Sequence, residues 1–290
     1  MVKIRFLNCL FLTWISALSA NQTVSIQYDP SSLQTSYAVK ILTQTLSNNG
    51  YLVQSGNADL RIGFKMDSTL GEEAYILRPS KKTITITGGD GRGVIYGAFS
   101  LAEDLRNGIP IDKIQTKRES TPLHFRAIKF DLPWDTYRHS CSLTQHQETC
   151  SDLKYWEAFL DMMAENRLNA LTLWNLHPYT FLIKPKNFPK ASPWTDEEME
   201  TWRTLFAGIF HMAKERGIDT YIMPFNIFVS PEFSKAYSPI PLNLEHHHFV
   251  PADTTKIVKR YTRECVTQML NEYPDLSQAS ASLLAKAWAA

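Results

Sequence analysis

The segment YWEAFLDMMAENRLNALTLWNLHP, residues 155–178, carries the decision about fold. Trp156, Leu160 and Met163, with Leu153 just upstream, fall on one face of a helix. A short polar turn at 166–169 then leads into ALTLW, residues 170–174, a compact apolar run that reads as a strand. A helix returning through a short turn to a buried strand suits a parallel sheet with helices on its faces. The same rhythm extends both ways. Residues 125–130 read as an earlier strand, followed by a long polar loop. Downstream, Thr195-Asp196-Glu197-Glu198 is a capping box that opens a helix running to Arg216, and Gly217 supplies its stop. Residues 219–225 read as a third strand and 254–272 as a third helix.

The loops that follow these strands are long, at 131–150, 175–193 and 226–251, whereas the returns at 166–169 and 217–218 are short. In parallel βα arrays the loops beyond the carboxyl ends of the strands build the active face. Long loops in a compact domain are usually functional. The asymmetry marks one face as built for a ligand.

The first hundred residues follow another pattern. TVSIQY at 23–28 alternates as a strand, 33–46 carries apolar residues at helical spacing, and Asn48-Asn49-Gly50 stops that helix. Short strands are expected at 51–54, 60–64, 74–78 and 83–87, and a second helix at 94–105. Together they make a small α/β sandwich of ordinary domain size. Gly88, Gly89, Gly91 and Gly93 are not spaced as a dinucleotide or P-loop fingerprint, and no Lys-Ser/Thr follows. They read as a tight strand-to-helix turn, with no nucleotide site. The polar stretch 116–121 is the most linker-like, so the first domain is taken as 21–118 and the second as 119–277.

Composition bounds the partners. The chain has 290 residues, 44% hydrophobic and 20% charged, with 30 Lys+Arg against 29 Asp+Glu. That is globular, not disordered or fibrous. A net charge of +1 makes no electrostatic case for nucleic acid or an anionic membrane. Residues 1–20 have the layout of a secretory signal: Lys3 and Arg5, an apolar run from Phe6 to Ile15, and a small-residue exit at Ala17-Leu18-Ser19-Ala20. The run is well short of the roughly 20 residues of a spanning helix. The expectation is export to the periplasm or the extracellular space, with no membrane contact once the signal is removed. Export would let Cys141 and Cys150, which bracket a short polar loop, form a disulfide. Cys265, within the third helix, reads as a buried small apolar residue.

The strand ends hold the candidate site. The first strand delivers Arg126, Lys129, Asp131 and Trp134, the second Trp174, Asn175 and His177, and the third Asn226. Sugars offer hydroxyls to Arg, Asp, Asn and His, and apolar ring faces to Trp, so a cleft with both kinds of group suits a glycan. Trp156 and Trp202, on apolar helix faces, read as core. His246-His247-His248 cannot all point at one ion from an extended loop, and no metal or other cofactor is expected.

TITITGGDGRGVIYGAFSLAEDL (83–105), HFRAIKFDLPWD (124–135), the segment 155–178 and AKERGIDTYIMPFNIF (213–228) together resemble exported glycoside hydrolases. These are the β-N-acetylhexosaminidase and α-glucuronidase families, with a small α/β domain before a (β/α)₈ barrel. The resemblance covers most of residues 23–277. It implies an α/β fold: a small sandwich domain followed by the first three βα units of a TIM-type barrel. It also implies an oligo- or polysaccharide substrate hydrolysed by general acid/base catalysis. In hexosaminidases an Arg at the end of the first barrel strand holds sugar hydroxyls, and Arg126 takes the comparable place, although Ala127 departs from the usual Arg-Gly pair. Their general acid, a Glu, comes from the end of the fourth strand.

No catalytic residue is assigned in this chain. After Leu276 the sequence runs SQASASLLAKAWAA, and the part from Ala279 contains no acid and no strand-like run. Residues 278–290 read as an aberrant tail, from a short natural or engineered C-terminus or from a reading-frame change near Ser277. Sequencing the gene through this region decides between them. The alternatives to an enzyme are a non-catalytic glycan-binding protein and an inactive fragment.

Overall fold

The computed structural model describes residues 22–135, 144–223, 229–237 and 256–279. The first sheet has six strands: β1 (Thr23–Gln27), β2 (Leu52–Val53), β3 (Leu60–Met66), β4 (Tyr75–Ser80), β5 (Thr83–Gly88) and β6 (Lys117–Glu119). They lie in the order β2-β1-β3-β5-β4-β6, with β2, β1, β3 and β5 parallel and β4 antiparallel to both its neighbours. Two helices, α1 (Leu33–Asn48) and α2 (Gly91–Arg106), pack together beside the sheet. Ser32 caps α1 through the Thr35 amide, and the chain leaves at Gly50 with φ +80°. Asp90 caps α2 by accepting from the Gly93 amide at 2.7 Å. The glycine-rich turn exists for close approach: a Cβ on Gly93 would lie 2.2 Å from the Ala74 carbonyl oxygen.

β6 corrects the expectation of a linker at 116–121. Lys117, Arg118 and Glu119 pair with Leu77, Ile76 and Tyr75 as an outer strand. Charged side chains suit a sheet edge, so their polarity does not exclude a strand.

The second sheet is wholly parallel. β7 (Ala127–Asp131), β8 (Ala170–Trp174) and β9 (Asp219–Ile222) alternate with α3 (Leu153–Glu165) and α4 (Asp196–Glu215), and α5 (Lys256–Glu272) follows. Thr195 and Glu198 make the reciprocal bonds of a capping box at α4. Gly217, at φ +67°, ends the turn into β9. On β7 the side chains alternate. Phe130 meets Tyr155, Trp156 and Phe159 of α3, while Ala127, Lys129 and Asp131 are exposed on the other face.

A fourth parallel strand begins where the sequence reading stopped the array. Gln278 and Ala279 (β10) pair with Tyr221 and Ile222 of β9. Parallel pairing is made by backbone groups, so an Ala-rich composition does not prevent it. Ser277 sets the register: its hydroxyl accepts from the Thr220 amide at 3.1 Å, and its amide donates to the Thr220 hydroxyl at 3.3 Å.

Just before this strand, Asp275 accepts hydrogen bonds from Lys214 Nζ at 2.6 Å and from His211 Nδ1 at 2.9 Å. The Lys214 bond holds its carboxyl below the usual carboxylate value, against burial and with support from His211. A depressed native pKa stabilises the fold above the unfolded value and ceases to do so as pH falls through the native one. Asp275→Asn should therefore be less stable than the parent chain at pH 7. The gap should close in denaturant titrations below about pH 4. A gap that is unchanged at low pH would refute this origin of acid sensitivity.

The two sheets meet through their helices. Tyr37 of α1 donates to Asp161 of α3 at 2.8 Å, and buried Arg216 bonds the same carboxylate at 2.7 Å while lying over the Tyr37 ring. Burial, helped by the Asp161 charge, pushes the Tyr37 hydroxyl above its ordinary range. Lys40 pairs with Glu157, Arg106 with Glu165, and Arg167 with Glu103. Among the described residues no helix is long and apolar enough to cross a membrane.

Candidate functional site

The carboxyl ends of β7 and β8 lie side by side, with Asp131 directly opposite Trp174. The pairing continues beyond the strands: the Leu132 amide donates to the Trp174 carbonyl at 2.8 Å, and the Leu176 amide to the Asp135 carbonyl at 3.1 Å. At β9 the Met223 amide donates to the Leu173 carbonyl at 3.1 Å, bringing Met223 against Trp174 and Leu176. Parallel pairing thus gathers Asp131, Trp174, Asn175 and His177 at one end of the sheet.

Asp131 is half exposed and bonded to Lys129 Nζ at 2.7 Å. The same ammonium sits 4.7 Å from the centre of the Trp174 ring, an arrangement of cation–π type. Lys129 is therefore part of the site. The Trp174 ring is only 7% exposed, with Lys129 over it, so a sugar stacking on that face must displace the ammonium. Asn175 is fully buried, and neither its Nδ2 nor its Oδ1 has a hydrogen-bond partner among the described residues. A buried amide in that condition costs free energy until something polar reaches it. His177 is 5% exposed, and its Nδ1 lies 2.6 Å from Asp135 Oδ2.

Two expectations are displaced. Arg126 precedes β7, so it lies at the opposite end of the parallel sheet from the loops that carry a ligand. There its guanidinium binds the carbonyls of Leu123 and Arg167, the Tyr96 hydroxyl and the Glu73 carboxylate. It ties the first domain to the second and does not face the strand ends. Trp134 is 8% exposed because its ring packs on Phe181 and edge-on against Trp202, 4.9 Å away. It belongs to an aromatic cluster with Trp194, not to a sugar platform. Cys150 is buried with a free thiol, which burial pushes up to about 11, and its carbonyl accepts from Trp156 Nε1. The partner expected for it in a bridge, Cys141, lies outside the described residues. Asn226 and His246 to His248 lie outside them too. Among the described residues no cluster of three or more His, Cys, Asp or Glu could hold a metal.

Asp135 was missed by the sequence reading. It closes the Pro133-Trp134-Asp135 turn, and its φ of +55° is a conformation that Asp and Asn tolerate better than most residues. That preference was the only local signal.

The comparisons with known proteins agree with this architecture. Residues 14–115 match the family model for glycosyl hydrolase family 20, domain 2. A beta-hexosaminidase of Porphyromonas gingivalis is 26% identical over 181 residues, 61% of this chain and 22% of that protein. Among solved structures, a GH138 enzyme targeting pectin rhamnogalacturonan II superposes with a TM-score of 0.73 at 24% identity. That match covers 88% of this chain and 38% of the other. The β-N-acetylhexosaminidase of Bacteroides fragilis gives 0.56 at 14% identity, covering 89% of this chain and 51% of the other. At those identities the structural likeness speaks for the fold alone. The chain spans about a fifth of its curated relative's length. Residues 14–115 thus resemble a glycosyl hydrolase domain, and the chain is similar to part of a beta-hexosaminidase.

Proposed function

We propose that the open face of the parallel sheet binds an oligo- or polysaccharide, in a protein that hydrolyses glycosidic bonds by general acid/base catalysis. One observation carries this reading: hydroxyl-binding groups of Asp131, Asn175 and His177 share one strand-end region with the Trp174 ring. Asp131 accepts sugar hydroxyls alongside its bond to Lys129, the Asn175 amide offers both a donor and an acceptor, and His177 supplies a ring nitrogen. Residues 1–20 lead the protein to the periplasm or outside the cell, where polysaccharide is met. Cell fractionation, with sequencing of the mature N-terminus, tests that step: cytosolic protein starting at Met1 refutes it.

A second reading, glycan binding without turnover, is favoured by one feature. Both carboxylates at these strand ends are already engaged, Asp131 by Lys129 and Asp135 by His177. A hydrolysing acid must instead give its proton to the leaving oxygen. Calorimetry and hydrolysis assays on the purified chain separate the two readings. The panel should hold aryl N-acetylhexosaminides and, given the likeness in fold to a pectin-targeting enzyme, pectin-derived oligosaccharides. Binding should appear for at least one member and weaken about tenfold in Asp131→Ala, as expected for loss of a charged hydrogen bond. Turnover supports the first reading, and binding without turnover the second. A folded chain that binds no member of the panel refutes both.

A further inference from the structure

We infer that the groove between the N-terminal turns of α3 and α4 is a second saccharide site, separate from the strand-end region and independent of the reading given for it. The two helices close at Gly208, where a Cβ would lie 2.8 Å from Leu153 Cδ2. In the turns before that contact they leave a groove of about 530 Å³, within the size range of ligand sites. Leu153, Leu205 and the half-buried Trp202 form its apolar side. Trp202 is held in place by the rings of Trp134 and Phe181, each edge-on with centres 4.9 Å away. The indole N–H groups of Trp156 and Trp194 donate to backbone carbonyls, whereas that of Trp202 makes no hydrogen bond among the described residues. The polar side consists of acceptors. The hydroxyls of Thr201 and Ser151 give their hydrogens to the carbonyls of Glu197 and Gln147, which leaves their oxygens with lone pairs to offer. Exposed Glu197 has no cationic partner among the described residues, while Glu200 on the next turn is paired with Arg203. Acceptors beside an apolar surface match a sugar, which presents many O–H donors and the apolar face of a ring. The wall is helical, with its backbone groups bonded internally, so it offers no edge to an extended peptide.

Nitrogen-15 NMR of the indole groups in the full chain tests this, with the Trp202 signal assigned through Trp202→Phe. Maltohexaose, N-acetylchitohexaose and pectin-derived oligosaccharides are the probes, and tetralysine is the control for a site that merely attracts cations. At least one saccharide should move the Trp202 signal saturably. Glu197→Gln keeps the shape of the wall and removes its charge, so affinity read at Trp202 should fall about tenfold. The melting temperature should be nearly unchanged, because Glu197 is exposed. Asp131→Ala should leave the Trp202 response intact. If that variant abolishes the response, the signal is relayed from the strand ends through Trp134, and the second site is refuted. A Trp202 signal that no saccharide moves, one that only tetralysine moves, or an affinity unchanged in Glu197→Gln also overturns the inference. If saccharides move Trp202 while Asp131→Ala changes no binding at all, the strand-end reading fails and the groove site stands.

Discussion

Glu73→Ala should destabilise the chain by about 3–5 kcal/mol, the cost of breaking a buried ion pair and leaving a charge behind. Glu73 is 5% exposed and lies between the two sheets. Its carboxylate accepts from Asn169 Nδ2 at 2.6 Å and meets the Arg126 guanidinium at 2.7 Å, with Arg92 at 3.8 Å. Arg92 also reaches Asp219 at 2.6 Å and the Gly217 carbonyl at 2.6 Å. Asn169, just before β8, further accepts from the Arg126 amide at 2.9 Å and donates to the His124 carbonyl at 2.8 Å. One carboxylate therefore joins the loop before β4, the N-terminus of α2 and the starts of β7 and β8. Truncation to Ala leaves the Arg126 guanidinium with neutral acceptors only. Glu73→Gln keeps the shape and an acceptor for Asn169, so its cost should be smaller. Urea titration with probes in each sheet checks this. The Ala variant should unfold earlier, because one of the contacts that couple the two sheets is gone. An unshifted transition would show that the network contributes nothing.

Trp156→Ala should cost about 3–5 kcal/mol, as expected for removing a large aromatic side chain from a packed interior. The ring is fully buried between β7 and α3, with its centre 4.9 Å from that of Phe130 and 5.9 Å from that of Phe159. Its Nε1 donates to the Cys150 carbonyl at 2.8 Å, pinning the end of the long β7 loop to α3. Trp156→Phe retains most of the contact area and forfeits only that bond, so about 1–2 kcal/mol is expected. Thermal and urea unfolding of the two variants should rank them in that order. Equal losses would mean that the indole hydrogen bond, not packing, dominates.

Local chemistry was legible where one element decides its own structure. The capping box at Thr195 and Glu198, the apolar spacing of Leu160 and Met163, and the glycine stop at 217 each reflect forces acting within a few residues. Strand β8 was read to the residue because ALTLW is apolar on both faces and bounded by polar turns. The edge strand β6 was not legible, since Lys117, Arg118 and Glu119 mark it only through their pairing with β4. The beginning of β10 is similar: its Gln278 and Ala279 are specified by the register of β9, not by their own preference.

The candidate site divides along the same line. The sequence alone determined that βα units alternate, that their loops are long on one side, and that Asp131, Trp174, Asn175 and His177 end strands. Periodicity and turn chemistry are properties of short segments. Only the tertiary structure decided that Arg126 faces the first domain, because a residue before a strand and one after it differ only in which end of the parallel sheet they occupy. It also decided that Trp134 is core, through Trp202 on a distant helix, and that Asp135 meets His177 across 42 residues of chain. Which side chains touch depends on how strands and helices pack, and that packing is a sum over the whole molecule that no single segment contains.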